Sequence, residues 1–81
     1  MQPVELHTDL GTYTITEAGA FIPTRAGIVT LTRLEGNNIM GWRMDGPSGK
    51  HEIWDHTESA GATARLLRHL EGFVNYNNRN A

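Results

Sequence analysis

Glycine, proline and asparagine cut the first two thirds of this chain at short intervals, and that punctuation limits what it can fold into more than any other feature. Turn signals stand at Thr8-Asp9-Leu10-Gly11, Glu17-Ala18-Gly19, Pro23 to Gly27, Glu35-Gly36-Asn37-Asn38 and Asp45-Gly46-Pro47-Ser48-Gly49. Each interval between them suits a strand and is too short for a helix. One uninterrupted segment follows, from Glu58 to about Glu71. Runs of short strands closed by a single helix predict an α+β fold: an antiparallel sheet of four to five strands with one C-terminal helix packed on one face. A small SH3-like curled barrel with the helix appended is the alternative. At 81 residues the chain holds one domain, taken as 1–74, with no internal repeat and no linker; the tail 75–81 is expected to fray.

Strand register follows from side-chain chemistry. Closing a hairpin between Asp45 and Lys50 sets Met44 opposite His51, Arg43 opposite Glu52, Trp42 opposite Ile53 and Gly41 opposite Trp54. This pairs opposite charges and lays an aromatic over a glycine, both favourable across antiparallel strands. Closing the preceding hairpin at Gly36-Asn37 sets Leu31 opposite Trp42 and Val29 opposite Met44. One sheet face then collects Val29, Leu31, Met40, Trp42, Met44 and Ile53. The other collects Thr30, Thr32, Arg43, Glu52 and Trp54, with Ile28, Leu34 and Ile39 at its rim. Moving the turn by one residue, with the loop length kept even, preserves this partition. Val4 and Leu6 alternate with Glu5 and His7, and Tyr13 and Ile15 with threonines, predicting a first hairpin about Asp9-Leu10. In the helical segment Asp55 or Thr57 is the expected N-cap. Leu66, Leu67, Leu70, Phe73 and Val74 form the apolar stripe that covers the first sheet face, and the helix is expected to reach about Val74.

Composition removes several function classes. No cysteine is present, so disulfides, thiolate metal sites and cysteine nucleophiles are excluded. No apolar run is long enough for a membrane span, and the N-terminal residues lack the charged region of a secretory signal, so a cytoplasmic protein with no membrane partner is expected. His51-Glu52-Ile53-Trp54-Asp55-His56 imitates a zinc motif, but its histidines are five apart. In a strand His51 and Asp55 lie roughly 13 Å apart, too far for one ion. Gly46-Pro47-Ser48-Gly49-Lys50 lacks the first glycine and the Ser/Thr of a phosphate-binding loop, and it leads into a strand. Ser48 and Ser59 sit in no nucleophile elbow. No catalytic residue, metal or cofactor is assigned, and the chain is read as a non-enzyme.

Six of the seven cations are arginine, the residue that forks onto phosphate, yet they scatter over loop, sheet, helix and tail of a chain with net charge -2. A three-stranded antiparallel sheet followed by a helix, ending in Trp42-Arg43-Met44 to Ala64-Arg65-Leu66-Leu67, resembles in outline the arm-binding domains of phage-type integrases. That likeness covers about half of the chain and implies nucleic-acid binding as the alternative function, with no binding residue carried over. The leading expectation is a protein partner of unknown identity. Trp54 projects from the face opposite the helix beside Arg43 and Glu52 and near Ile39, and Trp and Arg are the residues most enriched in binding hot spots. Trp54, Arg43, Glu52 and Ile39 are therefore the candidate partner-binding residues, unless the first hairpin folds over them and buries the indole. In size and layout the chain is similar to small phage-encoded inhibitors, including some anti-CRISPR proteins, which implies an accessory or inhibitory role. Homodimerisation through an open sheet edge is a further possibility.

Overall fold

The computed structural model describes residues 1–57 and 59–81. Six strands, β1 (Val4–Thr8), β2 (Gly11–Ile15), β3 (Ala20–Thr24), β4 (Gly27–Glu35), β5 (Ile39–Gly46) and β6 (Gly49–His56), precede one helix, α1 (Ala62–Arg79). The α+β class with a C-terminal helix is as expected, although the strands form two antiparallel sheets where one was expected. β1 and β2 pair alone, and β3-β4-β5-β6 make a four-stranded sheet in chain order. The extra strand is β3. It carries Pro23 opposite Ile28, which the sequence reading took for loop; as an end strand of its sheet, β3 tolerates a residue that cannot donate to a ladder.

The β5–β6 register matches expectation pair for pair, from Met44 opposite His51 to Gly41 opposite Trp54. The β4–β5 register differs by one turn position. Asn37 and Asn38 make the turn, with Asn38 at φ 61° and the Gly36 N–H donating to the Ile39 carbonyl. Leu31 therefore faces Met44, and Arg33 faces Trp42. Because the shift is even, every side chain keeps its face. Val29, Leu31, Trp42, Met44 and Ile53 are buried beneath Leu66, Leu70 and Val74 of the helix, and the first hairpin adds Leu6 and Ile15 to the same core. Arg33 belongs to this inner face, its guanidinium 5.4 Å from the centre of the Trp42 ring.

Two expectations about the helix are corrected. Its start lies at Ala62, with Gly61 as an N-cap that makes no side-chain bond. Asp55 remains in β6, where its carboxylate meets Arg65 at 3.0 Å. Pairing continues past the strand, because the Thr57 N–H donates to the Asn38 carbonyl. The expected first helical residue, Glu58, lies outside the described residues. At the other end the helix runs on through the segment expected to fray. Asn75, Asn77 and Asn78 are buried there, and each side-chain carbonyl accepts a hydrogen bond from the tip of a different hairpin. Asn75 Oδ1 takes the Asp9 N–H at 2.9 Å, Asn78 Oδ1 the Arg25 N–H at 2.9 Å and Asn77 Oδ1 the Ser48 N–H at 3.1 Å. Arg79 then forks onto both carboxylate oxygens of Asp9 at 2.8 and 2.9 Å.

Those tips also expose a repeat that the sequence reading missed. Thr8 and Thr24 occupy equivalent places, each with a hydroxyl that accepts from the N–H groups two and three residues on and donates to the carbonyl of Gly11 or Gly27. The buried pairs Leu6 with Ile15 and Ile22 with Leu31 are related by the same sixteen-residue step as Thr8 and Thr24. In the β5–β6 hairpin Pro47 has no N–H to offer, and Asn77 bonds instead to the next residue, Ser48. Among the described residues, no helix is long and apolar enough to cross a membrane.

Candidate functional site

The outer face of the four-stranded sheet carries all four residues singled out for partner binding. Cross-strand pairing of Gly41 with Trp54 explains how the indole lies there: a Cβ at residue 41 would fall 2.6 Å from Trp54 Cδ2 and 2.8 Å from the Ile53 carbonyl oxygen. Only glycine leaves room for the ring to lie flat against the backbone. Ile39 closes one side of this platform, and a Cβ on Gly36 would touch both Ile39 and the far edge of the Trp54 ring. Trp54 and Ile39 are each 39% exposed, so ring and aliphatic chain are fixed from below and open above.

Glu52 organises the polar rim. Its Oε1 accepts the Trp54 indole N–H at 3.2 Å, while Oε2 lies 3.4 Å from Arg43 Nε. That second approach is an ion pair without hydrogen-bond alignment, and Arg43 Nε is buried with no hydrogen-bond partner. The arrangement leaves a guanidinium and a carboxylate with donors and acceptors to spare beside an apolar plate. Two further apolar side chains share the face at its other end. Phe21 is 76% exposed and Ile28 53% exposed, flanking Pro23 across the β3–β4 ladder. The sequence reading placed Ile28 at the rim and missed Phe21, although strand alternation allows only one of Phe21 and Ile22 to enter the core, and Ile22 does so.

The alternative in which the first hairpin covers this face does not occur. Leu6 and Ile15 direct that hairpin into the core on the helix side, where it packs against α1 and β3. Among the described residues, neither the helix nor the first hairpin covers the outer face. No protein family, curated protein or solved structure matches the chain. The chemistry of the surface is therefore what remains to read function from. Among the described residues, no three His, Cys, Asp or Glu side chains come together in a way that would hold a metal ion, and His51 projects to the inner face while Glu52 and His56 project outward.

Among the described residues, four arginines stand against carboxylates, Arg33 with Glu17, Arg43 with Glu52, Arg65 with Asp55 and Arg79 with Asp9, while Lys50 lies 4.0 Å from Asp45. Arginines neutralised in this way offer little to a polyanion, because each phosphate contact would have to displace an existing partner.

Proposed function

We propose that this protein is a non-catalytic accessory or inhibitory protein that docks onto a larger protein through its outer sheet face, with Trp54 as anchor and Arg43, Glu52 and Ile39 around it. One observation carries this reading: four of the large exposed apolar side chains, Phe21, Ile28, Ile39 and Trp54, lie on the sheet face that the helix and first hairpin leave open. A Trp held rigid by its strand loses little side-chain entropy on binding, and covering it removes a wide apolar area from water. The two apolar ends are separated by Thr30, Thr32 and the Arg43–Glu52 pair. A complementary partner would thus present apolar groups at two places with hydrogen-bonding groups between them, the mixed character of non-obligate interfaces. The nucleic-acid alternative draws less support, since the arginine on this face is already paired with a carboxylate.

The test is capture from lysate of the native host with the partner identified by mass spectrometry. The double variant Trp54→Ala, Arg43→Glu is expected to lose a specific protein while its circular dichroism is unchanged. Removing a hot-spot Trp weakens binding by about 2 kcal/mol or more, at least about thirtyfold. A partner retained at full strength by the folded double variant would defeat the proposal.

A further inference from the structure

The open edge of the sheet is a second feature, separate from its outer face. Among the described residues, β6 ends the four-stranded sheet and pairs with β5 alone. The phase of its hydrogen bonds follows from two contacts. The Thr57 N–H donates to the Asn38 carbonyl, which makes residues 38 and 57 a hydrogen-bonded pair, and alternation then turns the main-chain groups of Lys50, Glu52 and Trp54 away from β5. Consistent with this, the Trp54 carbonyl is available to α1, where Arg65 Nη1 donates to it at 2.9 Å while also pairing with Asp55. Half of the edge is thereby blocked by an arginine that reaches across from the helix.

Among the described residues, no side chain caps the other half in this way. Next to the outward main-chain groups of Lys50 and Glu52, between β6 and the helix, lies a shallow, open groove lined by Lys50, His51, Arg68, His69, Gly72 and Phe73. His51 and His69 stack across it with ring centres 5.5 Å apart and planes 22° apart. Burial, reinforced by the charges of Arg65, His51 and Arg68, holds His69 below the ordinary histidine range. Lys50 and Arg68 bring positive charge to the lining of the groove. Lys50 is weakly engaged by Asp45 at 4.0 Å.

The geometry points to strand addition at this half-edge: an extended acidic polypeptide pairs with the outward main-chain groups of Lys50 and Glu52 and places a carboxylate in the groove between Lys50 and Arg68. Alternating donors and acceptors on the edge match a peptide backbone, whereas a phosphodiester chain brings acceptors alone. A second copy of the chain fits poorly. Antiparallel self-pairing centred on His51 would set two such cationic grooves against each other. A short strand bound here would extend the sheet beyond β6 and leave the Trp54 platform free.

The experiment titrates isotope-labelled protein with the peptide acetyl-Thr-Glu-Thr-Glu-Thr-amide and follows each amide by NMR. The Lys50 and Glu52 amides are expected to shift and to gain protection from solvent exchange. Arg68→Glu in the protein, or Lys for both Glu in the peptide, is expected to weaken binding at least about tenfold. A peptide N-methylated along the edge-facing positions should not bind. Trp54→Ala should leave the affinity unchanged, which separates this site from the outer-face proposal. Unperturbed Lys50 and Glu52 amides at millimolar peptide, undiminished affinity after Arg68→Glu, or preference of the groove for oligothymidylate over the peptide would each overturn the inference.

Discussion

Asparagine seldom holds a helix in its last turns, because its short amide competes for backbone hydrogen bonds and lowers helix propensity. Here Asn75, Asn77 and Asn78 use that same amide on main-chain donors of other elements. Asn77 is 2% exposed, accepts from Ser48 and donates to the Phe73 carbonyl at 2.8 Å. Asn77→Ala removes the acceptor and leaves the Ser48 N–H unsatisfied, at a cost of about 1–3 kcal/mol. Tyr76, one position away and 55% exposed, is the control: Tyr76→Ala should change stability by less than about 0.5 kcal/mol. Urea unfolding of the two variants gives the comparison, and equal midpoints would mean that the amide contributes nothing. The difference between the expected tail and the observed helix end has a physical cause. Low propensity was visible, while the three hairpin tips that override it are distant in the chain. The one available signal was the Thr8 to Gly11 motif recurring at Thr24 to Gly27.

For the elements, the same helix end shows how pH reaches the fold. Hydrogen bonds from Arg79, and then its charge, lower the Asp9 carboxyl below its ordinary value, with Arg25 adding to the effect. A carboxyl depressed in the folded state binds its proton more readily when unfolded. Its contribution is thus complete above the ordinary Asp value of about 3.9 and is lost as the pH falls through the lower folded value. Asp9→Asn should flatten that part of the acid unfolding profile followed by circular dichroism, whereas an unchanged profile would show that the Arg79 fork does not tie the helix end to the β1–β2 turn. The strands were more legible than the helix. Arg43 opposite Glu52 and Gly41 opposite Trp54 fixed the β5–β6 register by chemistry alone, and the two-residue periodicity protected the inner and outer partition when the β4–β5 turn moved to Asn37-Asn38. Helix limits had no comparable check. At its start, β6 continues to His56 opposite Ile39, so Asp55 lies inside a paired strand and not at a helix N-cap.

Across the whole molecule, one helix serves as both lid and clamp. Its apolar stripe covers the sheet, and its last turns hold three hairpin tips together, so the outer face is supported without being covered. That division leaves a rigid plate on one side, built on Gly41 and bearing Trp54, and a half-guarded edge on the other side of β6. The two tryptophans report on the two sides of the sheet, since Trp42 is 2% exposed beneath the helix and Trp54 39% exposed above the plate. The most direct measurement is fluorine NMR of 5-fluorotryptophan-labelled protein, alone and with the partner captured from host lysate. In the free protein the Trp54 resonance should shift on exchanging water for heavy water and the Trp42 resonance should not. On complex formation the Trp54 resonance should move and lose that solvent sensitivity while Trp42 stays in place. A bound partner that leaves the Trp54 resonance and its solvent response unchanged would contradict the assignment of the outer face as the docking surface.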